Sequence, residues 1–302
     1  MFLLSAAHYM EMEGIKSPRQ RQDITRVMEE LTDFPTLVSR SVLMRLELEA
    51  ALDALTAPRP DAYAPVELVG AGVLPAFGKV GGLCVRTESG EDVTDKTRLE
   101  WPDGPGAFDR WQRESEMLLD RSVLSGPTDE EVPDLRAAGW RPEVARENAE
   151  RRALQEQDQA QVFATEDGGR WRRGRTRDVV AARFLFIELS EMLGESLAAR
   201  AVALEEVFPT PEHARRLTDS MPSVDVSITL ATARHRHQDP RWIANDIFDV
   251  DAMSVAAPYC DIVVTERHAC HVLTAAGVEE RARVKLLHDL DALAGEAASA
   301  IP

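Results

Sequence analysis

The run Ile262-Val263-Val264-Thr265 constrains this chain more than any other feature. Four consecutive β-branched residues lose side-chain freedom in a helix and fit a pleated surface. Asp261–Thr265 therefore predicts a short, buried strand of the parallel type. Helical patterns lie on both sides of it, Asn245–Ala257 before and Glu266–Ala276 after. A second strand signal, Val284–Leu287, and a closing helix, Asp289–Ala297, follow. This alternation predicts a parallel sheet covered on both faces. Upstream, Phe2–Leu4 reads as a short strand running into a helix from Ser5. Ser17-Pro18 opens a helix whose Ile24, Val27, Met28 and Leu31 recur at helical spacing. Ser41–Leu55 repeats the pattern until Pro58, Pro60 and Pro65 end it. Val179–Val207 predicts one long apolar helix, stopped by Pro209 and Pro211, and His213–Ser220 another. Ser223–Leu230 fits either an alternating or a helical pattern.

The middle of the chain reads differently. Residues 66–82 are glycine-rich and apolar but match no phosphate-loop or dinucleotide fingerprint, which predicts a loop or packing element. Between Glu88 and Asp134, 14 acidic residues face 5 basic ones among many Pro and Gly, which predicts an exposed, irregular or partly helical insertion. Residues 143–163 predict a polar helix. At 168–177, GGRWRRGRTR reverses the sign of the charge.

Of the 302 residues 44% are apolar, enough to bury a core, and no stretch approaches the ~18 apolar residues of a membrane span. The start lacks a basic leader and a cleavage site. Cys84, Cys260 and Cys270 show neither metal nor disulfide spacing, which predicts a reducing, cytoplasmic setting. A net charge of −17 excludes a general nucleic-acid binder. Positive charge is instead concentrated in two short runs. Arg170, Arg172, Arg173 and Arg175 surround Trp171, and Arg234, Arg236 and Arg241 precede Trp242. Either run can cradle a nucleic-acid backbone locally. Either is also what a solvated loop in an acidic protein looks like.

Acidic residues carry the chemistry. Asp239, Asp246, Asp249, Asp251, Asp261 and Glu266 fall within 28 residues. Asp246 and Asp249 share one face at the head of a helix, where acids also favour the helix dipole. Glu266 follows the C-terminal end of the predicted strand, the edge at which open α/β sheets place their sites. Carboxylates brought together repel unless a cation lies between them, and hard divalent ions such as Mg²⁺ or Mn²⁺ prefer such oxygen ligands. Asp251 is expected to face solvent and Asp261 to cap the preceding turn.

The run NDIFDVDAMSVAAPYCDIVVTERHA resembles the C-terminal half of a PIN-like nuclease domain, and LLSAAHYMEM resembles the second element of that domain. The resemblance covers residues 1–55 and 178–302 and leaves 56–177 as an insertion. It implies a three-layer α/β/α fold with a parallel sheet, plus a large mostly helical or irregular insertion. It also implies a metal-dependent ribonuclease, toxin-like or defence-related, using Mg²⁺ or Mn²⁺ on an RNA substrate. Glu11, with Glu13 the weaker choice, and Asp249, with Asp246 its near competitor, match acidic positions of the family, and Glu266 stands where the family usually has Asp; the resemblance implies Glu11, Asp246, Asp249 and Glu266 as the catalytic metal ligands. Asn245 and Thr265 would orient them from behind. The chain opens on what would be the family's second element, so the usual first strand and first acid are expected to be missing from these residues. That favours, as the alternative, a PIN-like interaction protein with impaired catalysis, working with a partner protein or a second copy. A metal-dependent hydrolase on another α/β fold is the third reading.

Overall fold

A computed structural model describes residues 1–59, 61–64, 66–172, 174–237 and 241–300. Contacts divide the chain into two compact units, Met1–Ser39 with Val66–Arg146 and Arg40–Pro65 with Glu147–Pro302. These boundaries differ from the divisions at 55/56 and 177/178 that the family resemblance implies.

In the first unit, α1 (Ala6–Gly14) is capped at Ser5, whose N–H donates to His8 Nδ1 at 3.0 Å. Helix α2 (Pro18–Thr32) starts with proline in its first turn, where no intrahelical N–H is needed, and Ser17 Oγ accepts from Gln20 N–H. Two successive left-handed residues, Asp33 and Phe34, end it and turn the fully buried Phe34 ring into the core. They lead to β1 (Pro35–Leu37). After α3 (Arg40–Leu55), which belongs to the second unit, the chain returns through β2 (Val69–Ala71), antiparallel to β1, and α4 (Val73–Ala76). Leu4 forms a single parallel bridge to Thr36, so the strand expected at Phe2–Leu4 is reduced to one pairing. Helices α5 (Thr94–Leu99), α6 (Pro105–Ser125) and α7 (Val132–Ala137) complete the unit. Far from being an exposed insertion, α6 buries Phe108, Glu116, Asp120 and Leu124 along one face, and Leu124 packs with Leu4, Tyr9, Met12 and Phe34. Its acid count misleads because two of its four acids, Glu116 and Asp120, are themselves buried.

Helix α8 (Glu143–Ala164) carries the chain into the second unit, and α9 (Glu166–Arg172) follows. The long helix expected over 179–207 is broken. It becomes α10 (Thr176–Arg183), a π-helical turn Phe184–Glu188, α11 (Ser190–Arg200) and, beyond the left-handed Ala201, α12 (Leu204–Val207). Next come α13 (Pro211–Asp219) and α14 (Pro222–His235). Pro222 opens α14, and residues 223–229 are all buried. A helix apolar or small on every side belongs at the centre of its unit, and α14 packs most extensively on α15 (Ala244–Tyr259).

Beyond α15 lie β3 (Ile262–Val264), α16 (Arg267–Ala275), α17 (Val278–Ala282), β4 (Lys285–Leu287) and α18 (Leu290–Ala300). Strands β3 and β4 pair in parallel, Val263 opposite Leu286, over a core of Val226, Met253, Ala257 and Leu273. Cys260 and Cys270 pack on this core as small hydrophobes, and burial pushes the Cys260 thiol up to about 11.

The three-layer α/β/α expectation is overturned. The molecule is 67% helix and 5% strand, with two sheets of two short strands each among the described residues. The β-branched run forms its strand, and among the described residues β4 is the one strand that joins it. The segment that fits alternation, Ser223–Leu230, is the interior of α14. None of the described helices is long and apolar enough to cross a membrane.

Candidate functional site

Three helices of the second unit wall a crevice of about 260 Å³. Leu230 and Arg234 come from α14, and Asp246, Asp249 and Met253 from α15. Thr265 and Glu266 stand between β3 and α16, whose first turns add His268 and Ala269. Strand β3 fixes this last corner, because Thr265 N–H donates to the Leu287 carbonyl at 2.9 Å.

Asp246 caps α15, accepting from Ile243 N–H at 2.8 Å. The same oxygen accepts from Arg234 Nη2 at 2.7 Å. The Arg234 guanidinium carbon stands over the Trp242 ring, 4.8 Å from its centroid, and the side chain also donates to the Arg241 carbonyl. Carboxylate, carbonyl and indole thus hold one guanidinium at the rim. Trp242 is 7% exposed, so its ring serves Arg234 and is not offered to a base. Asp249, one turn further along α15, is exposed and lines the crevice, as is Glu266, which occupies the N-cap position of α16.

The remaining sequence-predicted residues lie elsewhere. Asn245 is exposed on α15 and does not line the crevice. Glu11 is exposed on α1 and belongs to the first unit. Arg170 and Arg172 are on α9, Arg175 pairs with Asp178 at 3.5 Å, and Arg173 and Asp239 are outside the described residues. Arg236 is exposed after the last turn of α14, and Arg241 is exposed beside Trp242. Asp251 does not face solvent. It pairs with Arg152 at 2.5 Å and Arg40 at 3.3 Å. Burial alone would raise its carboxyl, and the two guanidiniums outweigh burial and hold it below the usual range.

His268 went unread in the sequence, although its place two residues past Glu266 puts it on the first turn of a helix beginning at the crevice. Its ring lies 5.9 Å from that of His237. Among the described residues, no group of three or more His, Cys, Asp or Glu side chains is placed to hold a metal ion. The crevice nevertheless offers hard oxygen donors in Asp249, Glu266 and the Thr265 hydroxyl. Mg²⁺ keeps several waters and commonly binds through one or two carboxylates plus substrate phosphate, so this donor set suits one hydrated ion. No family model, no curated protein and no solved structure matches the chain.

Proposed function

We propose that the second unit cleaves RNA with a divalent ion at the crevice of α14, α15 and α16. One observation carries the reading. Asp246, Asp249, Thr265 and Glu266, separated by up to 20 residues in the chain, line one crevice beside a positioned guanidinium. The resemblance of residues 245–269 to PIN-like nucleases supports it. Asp249 and Glu266 would hold Mg²⁺ or Mn²⁺, with Thr265 behind them. Such an ion, when bound, lowers the pKa of a water and steadies charge building on phosphate.

The chain's own part is positioning. Asp246 is spent on Arg234 and the helix cap, so it orients a cation instead of serving as a ligand. Arg234, stacked on Trp242, presents its remaining N–H groups to a phosphodiester in the fork geometry that suits it.

The test is cleavage of single-stranded RNA by the full chain with Mn²⁺. Asp249→Asn and Glu266→Gln should each lower the rate on the order of a hundredfold. Unchanged cleavage by Asp249→Asn, or no response of activity and melting to Mn²⁺, sinks the reading. The ion pair on Asp246 favours a second reading, an RNA-binding protein without catalysis. RNA binding without cleavage in any divalent ion would select it.

A further inference from the structure

A second cavity, of about 610 Å³, lies on the other side of the α14–α16 contact, and Val272 lines both spaces. Three arginines surround it: Arg177 from α10, Arg236 at the end of α14 and Arg281 from α17. Two of them have structural duties. Arg177 bridges Asp219 at 2.7 Å and Asp225 at 2.5 Å and donates to Thr229 Oγ1 at 3.1 Å. Arg281 takes the other oxygen of Asp225 at 2.8 Å. Arg236 differs, since no carboxylate pairs with it among the described residues. Among the described residues, three guanidiniums thus face two carboxylates, in a protein of net charge −17.

A second observation points the same way. Thr232, 4% exposed on the cavity wall, has a hydroxyl with no hydrogen-bond partner among the described residues. Helical threonines ordinarily return that bond to the preceding turn. Exposed His271 adds a further ring nitrogen from α16.

We infer that this cavity binds a phosphate group, that of the RNA strand whose reactive segment lies in the neighbouring crevice. Donors reach it from α10, α14, α16 and α17, which suits a tetrahedral oxyanion better than a planar carboxylate. Arginine retains N–H groups beyond those already used, because each guanidinium carries five. The cavity also exceeds one phosphate in size and leaves room for the attached nucleoside. The phosphate site stands on these contacts alone, and only its assignment to RNA rests on the ribonuclease reading.

Binding of short single-stranded RNA to the full chain, measured by fluorescence anisotropy in EDTA, separates the two. A 5′-phosphorylated strand should bind about tenfold more tightly than its 5′-hydroxyl counterpart, the scale of one charge-assisted contact. Inorganic phosphate should compete. Arg236→Gln should erase the preference, and Arg281→Gln should reduce it. Arg216→Gln, an exposed arginine of α13 outside both spaces, should leave it intact. Asp249→Asn should also keep it, whatever happens to cleavage. Equal affinities with no phosphate competition overturn the inference, as does an equal loss in Arg236→Gln and Arg216→Gln. Competition by phosphate without a preference between the RNAs keeps the phosphate site and overturns the strand as its carrier. Cleavage in Mn²⁺ is read separately, so the nuclease reading can fail while this one stands, and the reverse.

Discussion

Helix α6 of the first unit and helices α8 and α15 of the second all bury carboxyl groups, and they meet the cost in opposite ways. On α6, Asp120 is 0% exposed and, among the described residues, has hydrogen-bond donors but no cation: Tyr9 O–H donates to it at 3.3 Å. Glu116, one turn earlier, accepts from Leu83 N–H at 2.9 Å. Burial, with Glu116 adding to it, pushes the Asp120 carboxyl up to about 7 against the Val73 and Tyr9 hydrogen bonds. In the second unit, Glu156 of α8 accepts from Arg183 and, at 2.7 Å, from His235. Glu188 joins Arg183 at 3.2 Å and Arg152 at 3.6 Å, and Arg152 continues to Asp251 of α15. Glu47 on α3 stands between these cases, with Tyr259 and Ser223 as donors and a carboxyl raised by burial. One region keeps its carboxyl by keeping the proton, the other by supplying guanidiniums. Removing a charge should therefore harm the second region and relieve the first.

The largest effect is expected at Glu156. Glu156→Gln leaves His235, 1% exposed, and Arg183, with 10% of its side chain exposed, short of their common partner. Breaking one arm of a buried pair costs about 3 kcal/mol, which urea unfolding of the full chain should register. A variant as stable as the parent would show that Glu188 alone suffices for Arg183, and the contrast with α6 would collapse. Next is Asp251→Asn, at about 2 kcal/mol near neutral pH, since Arg40 and Arg152 lose their anion. Its carboxyl lies below the ordinary value in the folded state, so its contribution is complete above the ordinary carboxylate range. That contribution is lost as pH falls through the lowered pKa. The gap between parent and variant should accordingly close on acidification, and a gap that widens would contradict the ion pairing.

The sequence discloses these regions unequally. The β-branched run announces β3, and spacing along α15 puts Asp246 and Asp249 on the crevice side, because a helix face follows from periodicity alone. The same periodicity says nothing of partners. Asp251 is two residues past Asp249, and its cations come from positions 40 and 152, so no local pattern could show it paired. Sheet size was misjudged for a related reason. Two strands in a helix–strand–helix order look alike whether or not further strands join, and the segment able to extend the sheet begins with Pro222 and continues through Ala231 as helix. On α6, seven charged residues stand beside eight apolar ones, yet Phe108, Asp120 and Leu124 are all buried. Composition averages over faces and so missed a core helix.

The effect that separates the two regions most cleanly is a gain. Asp120→Asn keeps the shape of the side chain and removes the ability to ionise. Space is tight here, since a Cβ placed on Gly72 would stand 2.8 Å from Asp120 Oδ2, so an isosteric change is the informative one. The folded carboxyl titrates near 7 and the unfolded one near 3.8. A raised pKa gives stability that is complete below the unfolded value and is lost as pH rises through the folded one. Parent protein should therefore weaken between about pH 4 and pH 7, and the variant should not weaken by this route. Unfolding midpoints are then expected to coincide near pH 4 and to favour Asp120→Asn at pH 8. A variant less stable than the parent at pH 8 would mean that the charged Asp120 is held by its donors as firmly as Asp251 is held by its arginines, and the two regions would no longer differ.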